Sequence, residues 1–486
     1  MVCRFSALIL SVLVPVCSSY SSVCFLPSTL DTSLSTPCAN LTHASDSVTN
    51  ITSAKGGVAS FIVYAEPGPS SFSINFDIVD TDDFKFTHYE IGYVNVTETV
   101  RYNQSRTGWL SDPLLTPFNE GGGMATYVPA GESGSWLFVI DIAATAKAGS
   151  YNPELRISLN DGFSVHPVPL KIWDFSIPEI SQGIFTELFV ASNTATSTED
   201  DHSDNSLGAI YAEAGGFTLD MKQKWFDLLS DSRIPPDDIY LSSPRPVEDY
   251  KYLNSTGQKM MGVMDVSGRA GGDGCANFSN SYVDSMIADL TPIVEELSSL
   301  GLLEKAYVYG FDEAPRECEA GVRNLFGAVK SKWPEIQTVA VLNWPGQGGG
   351  EMPTDDDFPV DVWTLQYQYY NETAAKAWTR SGRRILGYHC IEPSDASYLN
   401  TFIEHDLVET RLLMWYMAAR EEFSGWLYYA VDLFATGCKP NPDPHTTVAK
   451  RLKSGLSSKI DWNPGNCIWK DQYGEDFFAN GVSLES

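Results

Sequence analysis

Basic residues are scarce in this chain: 32 Lys and Arg stand against 62 Asp and Glu, a formal net charge of -30 over 486 residues. A surface of that sign repels phosphates rather than neutralising them, which excludes nucleic acid and anionic lipid as partners. Long apolar runs are also missing. The longest, Ala7 to Val16, falls short of the roughly 20 residues a membrane-spanning helix needs. No stable membrane insertion is therefore expected. No CxxC pair occurs and none of the seven histidines shows a zinc spacing, so neither a metal nor a cofactor is expected. There is no G-x-S-x-G elbow, and the Gly271-Gly272-Asp273-Gly274 run lacks the Lys-Ser/Thr of a phosphate loop. Thr354-Asp-Asp-Asp357 is an acidic cluster of the kind that is ordinarily solvated. Internal repeats and long low-complexity segments are absent.

What is present begins with an export signal over residues 1-19: Arg4, the apolar run, then the small residues Cys17, Ser18 and Ser19. A short membrane anchor is the alternative. Residues 20-57 form a Cys-bearing segment. Sequons at Asn40, Asn50, Asn95, Asn103, Asn254, Asn277 and Asn371 predict a glycosylated surface, consistent with a secreted or secretory-lumen location. Seven cysteines remain after the signal. Cys24 with Cys38, Cys275 with Cys318 and Cys438 with Cys467 are the expected bridges, leaving Cys390 as the odd thiol.

Residues 58-178 read as an all-β sandwich. The apolar run Phe61 to Tyr64, the alternating Phe72, Ile74 and Phe76, and the run Trp136 to Ile142 are strands. Glu154 to Leu159 returns through the Asn160-Asp161-Gly162 turn to a strand holding Val165, Leu170 and Ile172. Asp174 to Ile180 reads as a linker, and Thr194 to Ser206 as a polar loop.

From 183 to 435 strands alternate with helices. Strands are expected at 184–190, 239–241, 260–266, 306–311, 338–342, 360–365, 384–388 and 425–430. Helices are expected at 221–229, 282–300, 320–329, 373–377 and 408–419. Eight strands in about 250 residues is the arithmetic of a (β/α)8 TIM barrel. A doubly wound sheet is the alternative, but no dinucleotide fingerprint follows the first strand. Residues 436-486 form a C-terminal tail.

The segment richest in chemistry is Ala306-Tyr-Val-Tyr-Gly-Phe-Asp-Glu-Ala-Pro315, in which an apolar strand runs into Asp312 and Glu313. Barrel sites form at the carboxyl ends of strands. Two carboxylates crowded there resist double ionisation, raising the pKa of one, as glycoside cleavage requires. Asn343 and Trp344 end the fifth strand, Trp363 lies in the sixth, Tyr388 ends the seventh, and Trp426, Tyr428 and Tyr429 lie in the eighth. Sugar rings stack on aromatic faces and an amide can bond their hydroxyls, so Trp344, Tyr388, Trp426 and Tyr428, with Asn343, are the candidate substrate-binding residues. Strand parity sends a share of these aromatics into the helix layer instead.

The chain here resembles glycoside hydrolase family 123, the β-N-acetylgalactosaminidases and their relatives. The resemblance covers roughly Phe185 to Phe434. It rests on Tyr309-Gly-Phe-Asp-Glu-Ala-Pro315, Leu228-Leu229 with Arg233-Ile-Pro-Pro236, Glu409-Thr-Arg-Leu-Leu-Met-Trp415 and Gly425-Trp-Leu-Tyr-Tyr429. The sandwich ending Ile172-Trp173-Asp174-Phe175 fits that family's layout, whereas the short tail departs from it. The resemblance implies a retaining exo-β-N-acetylgalactosaminidase in which the substrate's acetamido oxygen makes an oxazolinium intermediate. Asp312 would then orient the acetamide and Glu313 would move protons. The glycan or glycoconjugate is the expected partner. A glycosidase on a sugar without the acetamido group, and a catalytically silent glycan-binding protein, are the alternatives.

Overall fold

The computed structural model describes residues 22–28, 32, 35–96, 108–115, 126–160, 162–177, 219–241, 243–267, 278–346, 350–353, 355–390, 393, 397–401, 405–428, 468–470 and 476–478. The expected signal segment, the 184–190 strand, the 194–206 loop, Asn103, Asn277, Tyr429 and the Cys438–Cys467 bridge lie outside them.

The chain divides into two compact units. The described part of the first, falling within 22–95 and 108–177, is built of sheets. Strands β1 (Val23–Pro27), β2 (Ile51–Lys55), β3 (Val58–Ala65), β4 (Phe72–Asp77), β5 (Phe84–Val96) and β6 (Gly108–Leu115) come first. They are followed by β7 (Thr126–Val128), β8 (Gly134–Ile142), β9 (Gly149–Tyr151), β10 (Glu154–Leu159), β11 (Gly162–Pro167) and β12 (Leu170–Ser176). Three sheets result, ordered β1-β3-β8-β5-β6, β11-β10-β4-β7 and β2-β12-β9. Alternate residues Phe61 and Val63 of β3, Ile74 of β4 and Leu155 and Ile157 of β10 enter one core, as period-2 patterning requires. Phe76 meets Trp136 and Phe138 edge-on, with centroids 5.1 and 5.0 Å away, joining two sheets face to face.

Two expectations change here. The all-β unit begins at Val23, before the expected start at 58, and Asp174 to Ser176 belong to β12 rather than to a linker. That strand runs parallel to β2, so backbone pairing overrides the linker composition. Cys24 and Cys38 are bridged as expected, and Cys318 is also disulfide-bonded, to a partner outside the described residues. Cys390 retains its thiol. Asn40, Asn50 and Asn371 are exposed, while Asn254 is half-buried and its side-chain oxygen accepts from Lys305.

The second unit holds β13 (Met261–Asp265), β14 (Ala306–Gly310), β15 (Gln337–Val341), β16 (Val362–Gln366), β17 (Arg384–His389) and β18 (Phe423–Tyr428). These six pair in sequence order, all parallel. Helices α1 (Leu219–Asp231) and α2 (Val247–Ser255) precede β13, and α3 (Asn280–Ser299), α4 (Glu319–Lys332), α5 (Glu372–Arg380) and α6 (Leu407–Ala418) follow β13, β14, β16 and β17. The Ser279 side chain accepts from Tyr282 N at the start of α3, and Asn371 caps α5 in the same way.

Parity sorts the strand residues. Ala306, Val308, Ala340, Trp363 and Ile385 join Leu290, Leu325 and Trp378 in the helix-packed core. Tyr307, Tyr309, Val339, Val341, Val362, Leu386, Tyr388 and Leu427 form a core to which none of the six helices contributes a fully buried residue. The described residues thus give six of the eight expected strands. Ile239 to Leu241 is not a strand: it offers β13 a single ladder bond, Asp265 N to Leu241 O at 2.8 Å.

Candidate active site

Asp312 and Glu313 emerge from the C-terminal end of β14, and both are exposed. Phe311 and Glu313 take positive φ, 59° and 50°. Non-glycine residues adopt this left-handed region at a cost of order 1 kcal/mol or more, so surrounding contacts must hold the bend. The Ser267 hydroxyl accepts from Phe311 N at 3.1 Å and donates to Asp265 Oδ1 at 2.9 Å. A Cβ on Gly310 would sit 3.2 to 3.3 Å from Ser267, which explains a glycine at that step. Beyond the pair, Trp344 Nε1 donates to Ala314 O at 2.7 Å, and the Arg316 guanidinium lies 4.5 Å over the Trp344 ring. The bend interrupts strand alternation between the two carboxylates.

Each carboxylate has its own tyrosines. Asp312 Oδ2 accepts from the Tyr240 hydroxyl at 2.6 Å, and Oδ1 from Tyr309 at 2.9 Å. Glu313 Oε1 accepts from the Tyr388 hydroxyl. Burial, then the charge of Asp312, pushes the Tyr309 phenol well above its ordinary value. Burial, then the charge of Glu313, does the same to Tyr388. Both phenols remain donors throughout the physiological range. Asn343 Nδ2 donates to the Tyr388 oxygen at 3.1 Å, while Asn343 Oδ1 accepts from Gln366 N at 2.9 Å.

Of the candidate substrate-binding residues, only Tyr388 touches a carboxylate of the pair in a described hydrogen bond. Asn343 is buried and orients Tyr388 rather than meeting a ligand. Trp344 is 1 % exposed, in the helix-packed core, and cannot offer a ring face to a sugar. Trp426, also 1 % exposed, packs with Leu413 and Met417 of α6. Tyr428 leans on His389 beside that cluster, with ring centroids 5.2 Å apart. Trp426 and Tyr428 share a parity opposite to that of inward-facing Leu427, which is why β18 brings neither to the carboxylates.

Tyr240, Tyr309, Asp265 and Ser267 are absent from the sequence candidates. The alternation Tyr307, Tyr309 ahead of Asp312 was a usable signal for Tyr309, since it sets both tyrosines on one face. Tyr240 lies 72 residues before Asp312 and carried no local signal.

A parallel sheet presenting two differently held carboxylates at a strand's carboxyl end has the layout a glycosidase site uses. The model of the glycoside hydrolase 123 catalytic domain matches residues 213–455. The chain belongs to glycoside hydrolase family 123. It is similar in fold to a family 123 glycoside hydrolase from Clostridium perfringens, described for glycolipid glycan hydrolysis. That match has 12% identity and a TM-score of 0.62, covering 95% of this chain and 85% of that one. A family 5 mannosidase from Rhizomucor miehei matches at 11% identity over 56% of this chain and 83% of that one, with a TM-score of only 0.25. No curated protein matches.

Proposed function

We propose that this glycoside hydrolase is a retaining, exo-acting β-N-acetylhexosaminidase, with galactosamine the preferred sugar, that works by substrate assistance. The observation that carries the reading is the unequal support of the pair. Both oxygens of Asp312 accept from phenols, whereas Glu313 is held by a different tyrosine from another strand. Hydrogen bonds to a carboxylate favour its ionised form. Asp312 is thereby suited to stay charged and to accept the acetamido N–H. The acetamido oxygen then attacks the anomeric carbon while the glycosidic C–O bond breaks and Glu313 protonates the leaving oxygen. In the second half, Glu313 takes a proton from the water that opens the oxazolinium ring. No enzyme carboxylate has to reach the anomeric carbon, so two adjacent carboxylates suffice.

In the same reading the six parallel strands are part of a (β/α)8 barrel. The protein is exported, and its sequons are glycosylated. A panel of aryl glycosides tests the activity. Release from the β-N-acetylgalactosaminide is expected, slowing as fluorines are placed on the acetamido methyl, because they weaken the attacking oxygen. Turnover of another glycoside without release from the N-acetylgalactosaminide would overturn the reading.

A further inference from the structure

The buried Asp237–Arg245 ion pair lies behind the site, and nothing in the reaction scheme uses it. Arg245 Nη2 meets Asp237 Oδ1 at 2.5 Å, with Asp237 fully buried and Arg245 nearly so. Asp237 Oδ2 accepts from Gly262 N at 2.9 Å and from the Tyr307 hydroxyl at 3.0 Å. Asp237 Oδ1 also accepts from Asp238 N at 2.9 Å. Burial pushes the Asp237 carboxyl up, and Arg245 with these donors acts in the opposite sense. A buried pair of this kind contributes little net stability compared with apolar residues of the same volume. Its presence calls for a positional explanation.

The segment it anchors supplies that explanation. Residues 235–241 follow the left-handed Arg233 at the end of α1, and no helix or strand includes them. Within it Tyr240 N donates to Asp238 Oδ1 at 2.9 Å. Gly262 of β13 permits the close approach, since a Cβ there would lie 2.8 Å from Asp238 O. Asp237 thus ties the start of a short irregular stretch to β13 and β14, Arg245 clasps Asp237 from beyond its far end, and Leu241 O accepts from Asp265 N of β13. That stretch projects Tyr240 onto Asp312 at 2.6 Å, with the Tyr240 ring edge-on to Tyr309 at 5.6 Å.

We infer that Asp237 and Arg245 are positioning residues for the glycosidase reaction, acting through Tyr240 to hold Asp312 charged and oriented toward the substrate acetamide. This rests on the reading of Asp312 given above. Each link runs through a named hydrogen bond, and removing the first should release the last.

The test is a cycle of Asp237→Asn, Tyr240→Phe and the double variant in the full chain, with Arg245→Met plus Asp237→Leu as an apolar replacement of the pair. Asp237→Asn is expected to lower kcat on the N-acetylgalactosaminide about 10-fold, with KM changed less than about twofold. Losing a donor to Asp312 should move the acid limb of the pH profile to higher pH. The double variant should be no worse than Tyr240→Phe, because both act on one contact. A folded apolar replacement should show the same loss with an undiminished Tm. A folded Asp237→Asn enzyme with an unmoved acid limb, or losses that multiply with those of Tyr240→Phe, would overturn the inference. A crystal structure of Asp237→Asn supplies a readout independent of activity. Tyr240 Oη more than 3.5 Å from Asp312 supports the relay, and an unchanged contact overturns it even if the substrate assignment fails.

Discussion

Tyr388 and Glu313, 75 residues apart in sequence, are joined by a hydrogen bond from the tyrosine hydroxyl to Oε1. Asn343 fixes the tyrosine in turn, so a residue expected to touch sugar becomes a support of Glu313, the group proposed to move protons. Tyr388→Phe removes the donor and leaves the ring. Loss of a donor favours the protonated carboxyl, so the basic limb of kcat/KM should move to higher pH. The rate at the optimum should fall about 10- to 100-fold. A limb that stays in place or moves down would show that Tyr388 does not govern Glu313.

The two carboxylates should fail differently. Glu313→Gln should cost about 10²- to 10⁴-fold on a natural glycan, whose leaving group needs a proton, and much less on an aryl glycoside carrying a good leaving group. Asp312→Asn should slow both substrates alike, because the proposed mechanism uses the acetamide for either. Steady-state rates on the two substrate types check this. Equal losses for Glu313→Gln on both would remove it as the acid, and full activity in both variants would make the pair irrelevant.

How far the sequence reached follows from which forces were local. Core strands such as β14 and β17 were legible because apolar runs between loops are a nearest-neighbour signal. The Asp-Glu step was legible because it ends such a run. β2 and β5 were missed: a run such as Ile51 to Lys55 alternates too weakly, and its pairing with β12 comes from far along the chain. The aromatic candidates were sorted by parity and register, which a one-residue shift reverses. Trp344 and Trp426 therefore looked like sugar platforms and are core residues. Tyr240 was invisible because a buried ion pair, not a local motif, delivers it to Asp312.

Trp344 provides a direct check on that sorting. It fills the core beside Phe358, with centroids 6.3 Å apart, and its indole N–H satisfies Ala314 O. Trp344→Ala should cost about 3–5 kcal/mol of stability through the cavity it leaves. Trp344→Phe should cost less, about 1 kcal/mol for the hydrogen bond plus the lost ring volume. In Trp344→Phe, KM should hold while kcat falls modestly, since the loop after Glu313 loses a tether. Denaturant melts and steady-state kinetics read both. A raised KM with an unchanged melt would return Trp344 to the sugar site.

His389 sets an acid limit on folding. It is 1 % exposed, its Nε2 pairs with the Thr401 hydroxyl at 2.8 Å, and burial lowers its pKa from 6.5 to about 3. The sign follows from proton uptake. Between pH 6.5 and 3 the unfolded chain binds a proton at this histidine that the folded chain refuses, so stability falls as pH drops through that window. The loss at pH 5 is about 2 kcal/mol, and it grows toward pH 3. His389→Gln keeps a polar side chain for Thr401 and removes the titration. The variant should be less stable than the parent at pH 7, where it forfeits the imidazole's packing against Trp426 at 5.1 Å. Its melting temperature should also decline less steeply between pH 6.5 and 4. Parallel Tm-versus-pH curves for parent and variant would show that His389 is not the group that titrates on unfolding.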